Sequence, residues 1–143
     1  MKNIFFLGFM LIINSAHASN KWTYGSWSGT GEQVDNASWE IKLEVTKEEV
    51  FTVNYPDLFC GGHWKLIGKG VETNVKRSGA HMKKSKYKKL IFRETIETGA
   101  DKCDQGAEIH LIQSDFDDVI IAHFYIRTYD ANKPIARAVL KRG

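Results

Sequence analysis

The stretch YPDLFCGGHW, residues 55 to 64, brings together the residue types in this chain that are most capable of chemistry. A cysteine, a histidine and a tryptophan surround two glycines, a few residues after a proline. This combination fits a ligand site, a catalytic loop, or the start of a β-strand that is pinned by a disulfide. The rest of the chain has to decide among the three.

Recognised catalytic and metal-binding motifs are absent from the sequence. His81, His110 and His123 show no H-x-x-x-H or H-x-H spacing, so we predict no zinc or copper site. No serine lies in a G-x-S-x-G turn, and GTGEQ at residues 29–33 lies near a strand end rather than between a strand and a helix, as a phosphate loop would. We therefore expect no catalytic residue, cofactor or metal, and keep a hydrolytic enzyme only as a third hypothesis.

The first residues predict a secretory signal peptide. Lys2 precedes an apolar run over residues 4–13, and Ala16-His17-Ala18 forms a small-residue cleavage site. The run is too short to anchor the chain in a bilayer. We expect residues 1–18 to be removed, which leaves residues 19–143 as one periplasmic or secreted domain with no transmembrane segment.

Export changes the meaning of the two cysteines, Cys60 and Cys103. In an oxidising compartment, an even pair in a small domain indicates a disulfide, and two cysteines allow only one intramolecular bond. We therefore predict a bridge between Cys60 and Cys103.

Period-two alternation of apolar and polar residues runs through almost every segment after the signal, and no helical stripe persists for three turns. The YDANKP sequence has the turn chemistry of a hairpin. The pattern predicts an all-β fold, a single antiparallel up-and-down barrel of about eight strands with one disulfide. The predicted strands lie near residues 22–33, 38–45, 51–55, 60–67, 90–97, 107–111, 119–128 and 135–141.

This layout favours the third interpretation of YPDLFCGGHW. If the strand from Cys60 pairs antiparallel with the strand from Leu90, Cys103 comes close to Cys60. Gly61 and Gly62 would then allow two backbones to approach closely at a bulge. His63 and Trp64 point to opposite faces of one strand, so we expect Trp64 in the core and a surface histidine beside it.

Glu94 falls on the predicted inward face, between Phe92 and Ile96. An unpaired buried carboxylate is costly, so it must find a partner or stay protonated. Three roles remain open: an ion pair or hydrogen bonds with an inward Arg or Tyr, a polar anchor in a ligand cavity, or general acid–base work. We assign Glu94, Trp64, Tyr55 and Arg137 to a candidate ligand site or polar core.

Charge is segregated along the chain. Residues 69–93 carry nine Lys or Arg against Glu72 alone, whereas residues 94–118 carry eight Asp or Glu against Lys102. We predict that residues 69–89 form a solvated basic loop. This loop either has no partner or contacts anionic lipid headgroups, lipopolysaccharide or an acidic protein. Nucleic acid is disfavoured because only one aromatic residue interrupts the lysines. The candidate contacts are Lys83, Lys84, Lys86, Lys88 and Lys89.

Two sets of residues resemble known families. Gly25-Ser26-Trp27, with the late Arg137 and Arg142, resembles calycin-type barrels, in which an arginine packs over the tryptophan. Tyr55-Pro56-x-Leu58-x-Cys60-Gly61-Gly62, followed by Phe92-x-Glu94-x-Ile96-x-x-Gly99-x-x-x-Cys103, is similar to a family of small exported bacterial domains of unassigned function. That resemblance covers residues 22–141 and implies the fold and export, but no activity.

The function that we predict is an exported, non-enzymatic binding module for a small molecule, an anionic surface or a protein. The alternative is an inhibitor or immunity-type protein that masks an enzyme by presenting loops. A cavity lined by Trp and Tyr with Glu94 at its base would favour the first hypothesis. A filled interior with an exposed, ordered loop would favour the second.

Overall fold

The computed structural model describes residues 20–79, 81–126, 130 and 132–143, with the backbone alone at residues 75–78 and 81. The predicted signal peptide, residues 1–18, lies outside the described residues. Eight antiparallel strands close into one barrel in the order of the chain, which confirms the predicted fold class. They are β1 (Gly25–Gln33), β2 (Ser38–Val45), β3 (Phe51–Tyr55), β4 (Cys60–Ser78), β5 (His81–Thr98), β6 (Glu108–Gln113), β7 (Val119–Tyr125) and β8 (Ala136–Arg142).

The alternation of apolar and polar residues in the sequence matches the alternation of buried and exposed residues in the barrel. On β2, every second residue from Trp39 to Val45 is buried, and the residues between them are exposed. The same rule holds for β3, and on β7 the buried residues alternate with half-buried ones. Since successive side chains of a strand point to opposite faces, one face of each strand fills the interior and the other meets solvent.

One end of the barrel is closed by the N-terminal segment. A short 3-10 helix, Lys21–Thr23, precedes β1, and Thr23 is fully buried. The indole N–H of Trp27 donates a hydrogen bond of 2.8 Å to the Thr23 carbonyl. The Arg142 guanidinium lies 4.2 Å from the Trp27 ring centroid and donates to the Tyr24 carbonyl, so the arginine covers the tryptophan at this end.

The arginine over the tryptophan is therefore Arg142, and the assignment of Arg137 to the polar core is wrong. Arg137 is exposed on the outer wall, because Ala136 and Ala138 on either side of it face inward. A strand with period two cannot turn three consecutive residues to the same side.

Close backbone approach explains the two glycines after Cys60. The pairing of β4 with β5 shifts register between Gly61 and Gly62, as a bulge does. A Cβ at Gly62 would lie 1.8 Å from the Thr95 carbonyl oxygen, so only glycine fits there. The predicted bulge at this point is confirmed.

The prediction of a basic loop over residues 69–89 is corrected by the structure. β4 and β5 continue through this region, and their register runs unbroken from Gly68 opposite Ile91 to Ser78 opposite His81. β3 pairs with β4 only as far as Trp64, and β6 pairs with β5 only from Lys89. Residues 69–78 and 81–88 therefore form a two-stranded ribbon that extends beyond the barrel, and we call them the ribbon.

Candidate functional site

The predicted disulfide is present. Cys60 opens β4 and Cys103 lies in the β5–β6 connection, with their Cα atoms 6.4 Å apart. Gly61 pairs with Thr98, so the start of β4 lies beside the end of β5, as the antiparallel arrangement required. The bridge fixes the connection over the end of the barrel that lies opposite the N-terminal helix.

A pocket of about 260 Å³ opens at this disulfide end. Aromatic rings form its wall: Trp39 meets Tyr55 edge-on at 5.2 Å and Phe124 edge-on at 5.1 Å between ring centroids. Cys103 of the disulfide also lines it. The further lining residues are Gln33, Ala37, Ser38, Leu58, Glu94, Lys102, Asp104, Ala107, Ile126, Ile135 and Ala136.

Glu94 is the buried acid of this pocket, with 5% of its surface exposed. Its Oε2 atom accepts a hydrogen bond of 2.7 Å from the indole N–H of Trp64, which lies directly opposite it on β4. The Tyr55 hydroxyl donates to the same oxygen. In the described part of the chain, no hydrogen bond reaches Oε1, so one carboxylate oxygen remains available in the pocket.

Burial dominates the electrostatics of this group. Desolvation raises the pKa of Glu94, while the hydrogen bonds from Tyr55 and Trp64 partly oppose that effect and the nearby Asp104 charge adds to it. Burial and the Glu94 charge raise the pKa of Tyr55 well above its ordinary value. The Tyr55 hydroxyl therefore stays protonated at neutral pH and acts as a donor to Glu94.

We predict that Glu94 makes the protein less stable as pH rises. A carboxyl whose pKa is raised by folding contributes stability that is fully present below its unfolded-state pKa, and this contribution is lost as pH rises through its folded-state pKa. As pH rises through that window, the unfolding free energy of the wild type should fall relative to that of Glu94→Gln. Urea denaturation of both proteins across the acidic and neutral range measures the difference.

Glu40→Gln is the matched control, because Glu40 lies on the barrel strand β2 with its side chain exposed. It should show the pH dependence of the wild type. Parallel pH profiles for wild type and Glu94→Gln would contradict a raised pKa at Glu94.

The other predicted residues lie either in the core or on the outer face of the barrel. Trp64 is 3% exposed and lies in the core, as predicted, and Tyr55 lies beside Glu94. His63 lies on the outer face, where its Nδ1 atom contacts the Glu97 carboxylate. The structure thus joins Glu94, Trp64 and Tyr55 in one buried hydrogen-bonded group, and Arg137 lies outside this group on the outer wall. Among the described residues, no group of three or more His, Cys, Asp or Glu side chains is placed to hold a metal ion.

Sequence reasoning missed two features of the site. It did not foresee Trp39 and Phe124 as pocket walls, although the alternation of β2 and β7 places both on the inner face. It also missed Phe59, which is 75% exposed beside the pocket and adopts a left-handed backbone conformation with φ of 54°. The Lys102 ammonium lies 5.2 Å from the centroid of its ring.

No family model matches the chain, and neither a curated protein nor a solved structure is significantly similar to it. The resemblance to calycin-type barrels and to a family of exported domains therefore stays a prediction. In the described part of the chain, no helix is long and apolar enough to cross a membrane.

Proposed function

We propose that this protein is an exported, non-enzymatic binding module of calycin-like type that takes a small molecule into the disulfide-end pocket. The observation that carries the proposal is the buried Glu94 carboxylate, which has one oxygen held by Tyr55 and Trp64 and the other unengaged by the described residues. Few precisely placed polar groups in an otherwise apolar and aromatic cavity are typical of small-molecule sites.

The pocket chemistry favours a compact ligand with an apolar body and a cationic or hydrogen-donating head. The rings of Trp39, Tyr55 and Phe124 would pack against the body and stabilise a nearby cation. The Oε1 atom of Glu94 would accept the hydrogen bond from the head. At about 260 Å³, the pocket falls below the usual range of about 300 to 1,000 Å³, so the ligand must be small.

A binding role fits Glu94 better than an acid–base role. Both of its donors, Tyr55 and Trp64, belong to the packed interior and fix the carboxylate in one position. Such an acid is a rigid acceptor that provides orientation and specificity. The disulfide adds to this rigidity, because Cys103 lies in the pocket wall.

We expect phenethylamine to bind the protein more tightly than phenethyl alcohol, the neutral analogue of similar shape. Glu94→Gln removes the charge but keeps the shape, and it should weaken amine binding about tenfold or more while changing alcohol binding little, since a hydrogen bond to a charged group contributes about 1.5 to 3 kcal/mol. Isothermal titration calorimetry measures both affinities.

Glu97→Gln provides the control, because it removes one carboxylate from the same strand outside the pocket. Its amine affinity should equal that of the wild type. Equal affinities of wild type and Glu94→Gln for the amine, or no amine binding at all, would count against this pocket as a cation site.

Phe59 favours the second candidate, an inhibitor or immunity-type protein. A left-handed conformation is unfavourable for phenylalanine, and such strain is concentrated at functional positions. Phe59 is held between Leu58 and the disulfide-bonded Cys60, with its side chain in solvent. Native mass spectrometry of the protein from its own compartment separates the candidates: a retained small molecule supports the pocket, and a retained protein supports presentation of Phe59.

A further inference from the structure

The ribbon presents two chemically different faces. Cross-strand neighbours in an antiparallel pair point to the same side, and every second residue of a strand shares a face. Leu90 points into the barrel, so Lys88, Lys86, Lys84 and Met82 continue its face along β5. On β4, that face is shared by the residues opposite Leu90, Lys88 and Lys86, which are Lys69, Val71 and Thr73. We call these seven residues the basic face.

The opposite face of the ribbon makes a salt bridge and a hydrogen bond. Glu72 accepts a salt bridge of 3.1 Å from Lys89. The Tyr87 hydroxyl donates to Asp115 in the β6–β7 connection at 3.0 Å. The Glu72–Lys89 salt bridge joins β4 to β5 on this face, and the Tyr87–Asp115 hydrogen bond holds the same face toward the barrel, which leaves the basic face outward.

The basic face combines lysines, for which the described residues provide no salt bridge, with exposed apolar side chains. Lys84, Lys86 and Lys88 are exposed, and Glu72, the only acidic residue between positions 69 and 89, lies on the other face. Val71 is 58% exposed and Met82 is 69% exposed among these lysines. Lysines on a free strand also discourage unwanted strand pairing, but that role requires no exposed Val or Met.

We propose that the basic face docks this protein onto an anionic phospholipid surface. Its lysines would meet lipid phosphates, while Val71 and Met82 would enter the interface, the combination that favours a membrane over a purely polar polyanion. The five lysines of the sequence prediction are thereby divided: Lys84, Lys86 and Lys88 lie on the docking face, whereas Lys83 and Lys89 lie on the other. The pocket lies at the opposite end of the barrel, so this proposal does not depend on the proposed function.

Vesicle binding tests the proposal directly. The wild type should bind phosphatidylcholine vesicles that contain phosphatidylglycerol at low ionic strength, should be released by salt, and should not bind pure phosphatidylcholine vesicles. The triple variant Lys84→Gln, Lys86→Gln, Lys88→Gln should bind about a hundredfold more weakly, on the order of fivefold for each lysine. Co-sedimentation with the vesicles gives the affinities.

The matched control removes the same charge from the outer wall of the barrel. Lys42, Lys65 and Lys141 are exposed strand residues, and their triple replacement by Gln should retain wild-type vesicle affinity. Equal losses in the two triple variants would show a response to net charge alone and overturn the proposal. A wild type that ignores the anionic vesicles would also overturn it.

The apolar residues separate a membrane from an acidic protein as the partner. Val71→Ser with Met82→Ser keeps every charge and should weaken vesicle binding several-fold, because the apolar contribution to interfacial binding is lost. Wild-type affinity in this double variant would mean that the face recognises charge only, and it would overturn the argument from Val71 and Met82 that favours a membrane over an acidic protein.

Discussion

Replacing Trp64 with alanine should lower the free energy of unfolding by about 3 to 5 kcal/mol. The indole is 3% exposed, and its ring centroid lies 5.7 Å from that of Phe92. Truncation would leave a cavity in the middle of the barrel and would also remove the N–H that holds Glu94 Oε2. The midpoint of urea denaturation, followed by far-UV circular dichroism, measures the loss.

The variant Trp64→Phe separates packing from hydrogen bonding. It keeps an aromatic ring in the core but removes the donor to Glu94, so the expected loss is smaller, about 1 to 3 kcal/mol. A Trp64→Ala midpoint close to the wild type would refute the core position. A Trp64→Phe protein as unstable as Trp64→Ala would show that the hydrogen bond, rather than packing, dominates at this position.

Opening the Cys60–Cys103 bridge should cost about 4 kcal/mol, because the bond closes a ring across a sequence separation of 43 residues and so restricts the unfolded chain. That loss is comparable to much of the net stability of about 5 to 15 kcal/mol of a small domain. Urea denaturation with and without a phosphine reductant measures it.

The double variant Cys60→Ala, Cys103→Ala is the control for direct effects of the reductant. It should match the reduced wild type and should not respond to the phosphine. Alkylation of the unreduced protein followed by intact-mass measurement tests the bridge itself. Two modified thiols at that stage would contradict the disulfide and reopen a reactive-cysteine interpretation of YPDLFCGGHW.

The barrel was predictable because the alternation that marks its strands is a local property of the sequence. Successive side chains point to opposite faces of a strand, so the apolar residue at every second position from Trp39 to Val45 identifies the buried face of β2. The inward position of Trp64 follows from the same rule, as does that of Glu94. The bond between Cys60 and Cys103 also followed from the sequence, once antiparallel pairing placed the start of β4 beside the end of β5.

The ribbon was not predictable from the same signal. Alternation of apolar and polar residues reveals a strand only where one face packs into an apolar core. Neither face of the ribbon does so, since one carries lysines and the other meets the barrel through polar contacts such as that of Tyr87 with Asp115. Its lysines therefore resembled a loop, although β4 and β5 stay paired beyond the barrel after a register shift between Leu66 and Gly68. Lys84 and Lys83 are neighbours in sequence, and they belong to opposite faces only because the structure places both on a strand.

The sequence by itself determined the fold class, the disulfide and the identity of the buried acid, because each depends on alternation within a strand or on a single possible pairing. Only the tertiary structure decided that Trp64 and Tyr55 both donate to Glu94, that Trp39 and Phe124 wall a pocket there, and that Arg142 rather than Arg137 covers Trp27. These contacts join distant strands. Their geometry depends on register, which the bulge between Gly61 and Gly62 shifts, and on where each strand leaves the barrel.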